Sequence, residues 1–521
     1  MRAFSSLFFS VVLVAVPLHA NSGQAAVASA HPLATAAGIE ILNKGGNAFD
    51  AAIAVTATLA VVEPYGSGIG GGGFWLLHRS EDNRDVMIDG RERAPLQASR
   101  NMYLDEHNNV IPEASIDGPL AAGIPGVPAA IEHIAHNYGK LPLAVTLDAA
   151  IRHARDGFRT DEHYQRMAAF REKALNASED AARIFLRNNK APAPGTLIRQ
   201  PELADTLSLI AEEGARGFYQ GELAENMVAS VVKHGGIWNL KDLASYRIIE
   251  RAPVVGEYRG MKIVSAAPPS SGGVAIIQML NMLENYDFHS MPEAVRIHLL
   301  TEIMRRAYRD RAEYLGDPDY VDVPVDVLVS KTYAAQLAGS IAMDEATASE
   351  ELKPVMVDGP KGRDTTHFSI IDKDGNRVSA TLSINYPFGS CFVAEGTGVL
   401  LNDEMDDFSA KPGEPNVYGL IGAEANAIEP GKRMLSSMTP TFLETENRLA
   451  VLGTPGGSRI ITMVLLGALE FYAGASAQDM VNRGRFHHQY RPDKIFYEPG
   501  VLSAVVLESL FASGHETTVL D

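Results

Sequence analysis

The side chains best placed to do chemistry in this chain are hydroxyls: Asp364-Thr365-Thr366-His367 opens a strand-like stretch, and Ser383 and Asn385 stand at the end of the next one. Taken alone the cluster is a weak signal, since threonines are ordinary strand residues. Better-known catalytic arrangements fail on spacing. His487 and His488 are adjacent, so their side chains diverge on either regular element, and no cysteine or His-Glu-x-x-His pattern completes a metal site. No Gly-x-Ser-x-Gly elbow occurs, and neighbouring carboxylates such as Asp406 and Asp407 are more often surface residues than a glycosidase pair. The run Gly66-Ser67-Gly68-Ile69-Gly70-Gly71-Gly72-Gly73 lacks the Gly-Lys-Ser or Gly-Lys-Thr of a phosphate loop and opens a strand, which points to close backbone packing or amide donation. The single cysteine, Cys391, has small and aromatic neighbours and reads as a buried structural thiol.

The elements that must position these residues change character at Asp364. Residues 32–62 place apolar side chains at helical spacing, interrupted by Lys44-Gly45-Gly46-Asn47, so two packed helices are expected, the second capped by Asn47 or Asp50. Phe74-Trp75-Leu76-Leu77-His78 predicts a strand after the glycines, and residues 120–350 read mainly as helices, among them 143–155, 205–213 and 294–314. Beyond Asp364, residues 366–371, the turn Asp372-Lys373-Asp374-Gly375-Asn376 and the alternating 378–384 predict a hairpin. That acidic turn is no calcium loop, because Arg377 stands where a glycine is needed and no glutamate closes it. Residues 438–443 and 449–453 predict strands and 460–472 a helix. Strands and helices in separate blocks predict an α+β fold with antiparallel sheets in layers.

A chain of 521 residues with 46% hydrophobic composition can bury a large core. Its net charge of −19 is spread along the sequence, which argues against nucleic acid and leaves small solutes as partners. Arg2, the apolar run 7–16 and Leu18-His19-Ala20 read as a secretory signal over 1–20, too short to span a bilayer. No later segment reads as a membrane span. Export without disulfides or anchors suits a bacterial periplasm or secretion.

Four blocks, in order, carry a specific resemblance: Thr365-Thr366-His367-Phe368-Ser369, Asn402-Asp403-Glu404-Met405-Asp406-Asp407-Phe408-Ser409, Ser436-Ser437-Met438-Thr439-Pro440-Thr441 and Pro455-Gly456-Gly457-Ser458-Arg459. They resemble the signature blocks of gamma-glutamyltransferases, also called glutathione hydrolases. The likeness begins near His31, takes in Gly45-Gly46-Asn47-Ala48 and the glycine run, and reaches Arg485-Phe486-His487-His488-Gln489 and slightly beyond. It implies a four-layer αββα sandwich of the N-terminal-nucleophile hydrolase type, and a precursor that cuts itself between Asp364 and Thr365 into a large subunit, 21–364, and a small one, 365–521. Family members usually continue for a few dozen residues past the point matching Asp521, through a further strand region, whose loss would expose a sheet edge.

The same resemblance implies the site. Thr365 would be the nucleophile, activated by the α-amino group that cleavage exposes, whose ordinary pKa of about 7.7 to 8.0 suits a base near neutral pH. Ser383 would hydrogen-bond its hydroxyl, and the amides of Gly456 and Gly457 would form the oxyanion hole. Arg91 would pair with the substrate α-carboxylate, aided by Ser437, while Glu404 and Asp407 hold the α-ammonium with Asn385 and Ser436 adding hydrogen bonds. Residues 411–426, including Tyr418, resemble a lid. The expected donors are glutathione and other gamma-glutamyl compounds, the acceptors water, amino acids or peptides, and no cofactor or metal is called for. Two alternatives stand beside this reading. A related acylase for glutaryl-type side chains is disfavoured by the retained Glu404 and Asp407, and an uncleaved, inactive family member would persist as a single chain.

Overall fold

Alternation along two strands sets the layering. In Gly72–Arg79, Trp75 and Leu77 enter one buried cluster while Phe74 and Leu76 enter another, and in Arg84–Gly90, Val86 and Ile88 part from Met87 in the same way. Successive side chains of a strand point to opposite faces, so this sheet is covered on both. The structure, a computed structural model, describes residues 25–352 and 365–520. The expected signal segment 1–20 and Asp364 lie outside the described residues.

The sheet has six antiparallel strands in the order Ala26–Ser29, Thr366–Ile371, Arg377–Ser383, Gly72–Arg79, Arg84–Gly90, Ile249–Arg251. One face packs under the helices Pro32–Asn43, Ala48–Val62, Val127–Asn137 and Leu143–Asp156. Every residue of Ala48–Val62 is buried, as a helix that is apolar all round must be, and its start is a capping box in which Asn47 and Asp50 each bond the other's backbone amide. The other face meets a four-stranded antiparallel sheet, ordered Leu449–Leu452, Thr441–Glu444, Met261–Ser265, Val254–Tyr258, which is backed by the helices Gly272–Leu283 and Ile460–Tyr472. Ser379 fastens the two sheets: its Oγ donates to the Leu452 carbonyl (3.0 Å) and accepts from the Thr441 amide (3.0 Å). The order is therefore helix, sheet, sheet, helix, the expected αββα arrangement in an α+β chain.

Two expectations need correction. Residues 249–265, inside the stretch read as mainly helical, form three short strands that complete both sheets. The strand expected from Met438 begins instead at Thr441, because the Ser436 amide bonds the Pro269 carbonyl and the Met438 carbonyl accepts from Ser270, holding that segment away from the sheet ladder. Cys391 is buried, and burial pushes its thiol up to about 12, in keeping with a structural role. Among the described residues no helix is long and apolar enough to cross a membrane.

Candidate active site

Thr365 heads the hairpin. Thr366 pairs with Leu382 in an antiparallel register, and one further step of that register sets Ser383 opposite Thr365. Ser383 in turn pairs with Gly72 on the neighbouring strand. A Cβ on Gly71 would lie 2.3 Å from the Ser383 carbonyl oxygen, and one on Gly70 would lie 2.1 Å from that of Leu400, so the glycine run exists to bring backbone hard against the hairpin end. Thr366 donates its hydroxyl to Glu63 Oε2 at 2.6 Å. Burial pushes the Glu63 carboxyl up to about 7, against the opposing pull of that hydrogen bond.

The acidic turn Glu404–Asp407 is held by residues that never reach the cavity. Asn402 donates to the carbonyls of Gly70 and Gly123 (both 2.8 Å) and accepts the Glu404 amide (3.0 Å), tying the turn to the glycine run. Asp403 accepts the Tyr386 amide at 2.9 Å and the Asn385 side-chain amide at 3.3 Å, which fixes Asn385 at a φ of 73°. Arg91, wholly buried, bridges the two carboxylates: Nη1 to Glu404 Oε2 and Nη2 to Asp407 Oδ2, both at 2.5 Å. Glu92 lies 3.5 Å from Arg91 Nη1, its two oxygens without a hydrogen-bond partner among the described residues, and burial holds its carboxyl well above the ordinary range. Burial also raises Glu404 to about 7, with Arg91 pulling the other way.

Residues 411–426 lie closed over this turn. Val417 donates its amide to Asp406 (2.8 Å), Asn416 donates to Asp407 (3.0 Å), and the Tyr418 hydroxyl donates to the Asn385 carbonyl (2.5 Å). Gln489 donates to the carbonyls of Tyr418 and Gly419 at 3.2 and 3.0 Å. The Tyr418 ring packs so tightly on Gly457 that a Cβ there would lie 2.5 Å from the ring, and Gly457 also has a φ of +55°.

Thr365, Ser383, Asn385, Glu404, Asp407, Tyr418, Ser436, Ser437 and Gly457 all line one cavity. Two of the expected site residues stay out of it: Arg91 sits behind the carboxylates it bridges, and Gly456 opens onto a neighbouring cleft with Arg459 and Arg485. The cavity measures about 20 Å³, room for roughly one water. Sequence reading missed four residues that shape the site: Glu63, Glu92, Arg311 and Gln489. Arg311 was legible only as one more charge on a long helix, while Gln489 closes the block Arg485-Phe486-His487-His488-Gln489 already noted for its likeness.

A nucleophile-type hydroxyl and paired acids in one cavity, with a buried guanidinium behind the acids, fit acyl transfer to and from a zwitterionic substrate, and comparison with known proteins points the same way. Residues 34–521 match the family model described as Gamma-glutamyltranspeptidase. The glutathione hydrolase proenzyme of Escherichia coli (strain K12) is 41% identical over 510 residues, 96% of this chain and 87% of that protein. Among solved structures, the cephalosporin acylase from Bacillus halodurans is similar with a TM-score of 0.83 at 28% identity, over 99% of this chain and 93% of that one. The gamma-glutamyltranspeptidase of Helicobacter pylori gives a TM-score of 0.62 at 41% identity, over 66% of this chain and 99% of that one.

Proposed function

The chain belongs to the gamma-glutamyltranspeptidase family, and from that premise we propose that it is a self-processing enzyme that cleaves the gamma-glutamyl amide of glutathione and related compounds through an ester on Thr365. The observation that carries this reading is the cavity itself, where Thr365 and Ser383 stand beside the acids Glu404 and Asp407 and the serines Ser436 and Ser437.

In the precursor the Thr365 hydroxyl attacks the Asp364 carbonyl, the peptide C–N bond breaks, and water hydrolyses the resulting ester. The products are a large subunit, 21–364, and a small one, 365–521, whose new α-amino group takes the proton of the Thr365 hydroxyl in each later turnover. The Helicobacter pylori chain matches 66% of this one over 99% of its own length, which supports a mature unit shorter than the full chain. In turnover the hydroxyl, steadied by Ser383, adds to the gamma-carbonyl of the donor. The amides of Gly456 and Gly457 receive the oxyanion, where one donor typically contributes about 3 to 4 kcal/mol to lowering the barrier. The Cys-Gly amine leaves with a proton, and water, an amino acid or a peptide attacks the ester. Glu404 and Asp407 release Arg91 as they take the α-ammonium, which frees the guanidinium for the α-carboxylate.

The reading supports export through residues 1–20 to a periplasm or the medium. The likeness to a cephalosporin acylase keeps a glutaryl-type substrate as the second reading. A glutaryl group has no ammonium, so it would leave Glu404 and Asp407 without a ligand. The test is to incubate purified protein with glutathione and measure glutamate and Cys-Gly, with a gamma-glutamyl and a glutaryl anilide run in parallel. Release from glutathione and preference for the gamma-glutamyl anilide are expected, both lost in Thr365→Ala. Preference for the glutaryl anilide would move the chain to the acylase reading.

A further inference from the structure

Arg311 lies on the helix Glu293–Tyr314, only 5% exposed, and among the described residues it has no carboxylate partner. Its Nε donates to Ser271 Oγ at 3.0 Å and its Nη2 to Ser437 Oγ at 3.1 Å. A buried guanidinium satisfied by hydroxyls alone is costly, since burying a charge without a counter-ion forfeits its hydration. Burial accordingly pulls its proton affinity below the ordinary arginine value. Arg91, by contrast, is already neutralised by Glu404 and Asp407.

The direction of the hydrogen bonds adds to this. A hydroxyl has one proton, and Ser437 Oγ accepts from Arg311, so its own O–H is left to donate on the side where Ser437 lines the cavity. Ser271 relays in parallel: it accepts from Arg311 and donates to the Ser436 carbonyl at 2.7 Å, fixing the backbone that carries both serines.

We infer that Arg311 is a positioning and specificity residue for the donor's α-carboxylate, orienting the Ser437 hydroxyl towards that group and supplying a second positive charge behind it. The inference rests on the gamma-glutamyl reading and deepens it. The substrate's carboxylate is then the counter-ion that the buried guanidinium lacks in the unliganded protein, and an acyl donor without that carboxylate gains nothing from it.

The test uses the full-length, self-cleaved protein as wild type, Arg311→Gln and Arg311→Lys, each assayed with a gamma-glutamyl anilide and with its α-carboxamide analogue. Wild type should prefer the free acid. Arg311→Gln should raise KM for the acid about 10- to 100-fold with kcat little changed, while KM for the carboxamide moves less than about twofold, so the preference collapses. Arg311→Lys should recover part of it. Should Arg311→Gln fail to mature, Arg311→Lys carries the test, and its preference should fall short of the wild type's. Retention of the wild-type preference in either variant, or an equal fall in kcat on both donors, overturns the inference. A wild type that turns over neither donor overturns the gamma-glutamyl reading beneath it instead.

Discussion

At the scale of single residues the site is built from groups that burial has pushed away from their ordinary ionisation. Glu63 is the clearest case, because its carboxyl, raised to about 7, holds the hydroxyl of Thr366, the neighbour of the proposed nucleophile. A glutamate with a folded-state pKa above its unfolded value keeps its proton longer in the native state. The stability this supplies is full below about pH 4.5 and is lost as pH rises through about 7. Glu63→Gln, which mimics the protonated form and still accepts from Thr366, should therefore gain on wild type as pH rises across that window, by up to about 3 kcal/mol. Urea denaturation at pH 4.5 and pH 8 measures it, and an unchanged difference between the two would contradict the assignment. Of the residues that touch the cavity, Thr365, Glu404, Asp407, Ser436, Ser437 and Gly457 were legible from the four signature blocks, and Ser383, Asn385 and Tyr418 from the hairpin and the lid around them. Glu63 and Arg311 were not, since each looks in sequence like any other charge, and only their burial beside Thr366 and Ser437 marks them out.

At the scale of elements the glycines and the lid do the positioning. Gly71→Ala would drive a Cβ to 2.3 Å from the Ser383 carbonyl and push Gly72–Arg79 away from Arg377–Ser383, the strand that ends in Ser383 and pairs with the one Thr365 heads. Little soluble protein and no self-cleavage are expected from it, as judged by yield and a denaturing gel. Gly457→Ala acts more locally. Its methyl would meet the Tyr418 ring at 2.5 Å, so mature protein should form while kcat/KM for a gamma-glutamyl anilide falls at least about tenfold, and Tyr418→Ala made with it should restore part of that loss because the clash is gone. The hairpin, the two N-terminal helices and the helix 460–472 were read correctly because their periods and turn residues are local signals. The strands of 249–265 were missed because they are short and interrupt a mainly helical stretch; Met261–Ser265 pairs with Thr441–Glu444, far along the chain, and the one local signal, the Arg259-Gly260 turn that joins it to Val254–Tyr258, was passed over.

For the whole molecule the central point is that both sheets are shared across the proposed cut. Thr366–Ile371 and Arg377–Ser383 lie between Ala26–Ser29 and Gly72–Arg79 in one sheet, and Thr441–Glu444 pairs with Met261–Ser265 in the other. Cleavage at Thr365 thus separates no layer. The two subunits should elute as one species from native size exclusion and part only in denaturant. Everything proposed for Thr365 depends on the cut itself, so the most direct test is a denaturing gel of wild type beside Thr365→Ala, with N-terminal sequencing of the smaller fragment. Two bands are expected for wild type, the smaller beginning Thr-Thr-His-Phe, and a single full-length band for Thr365→Ala. A single band in both, or a fragment with any other start, would contradict it.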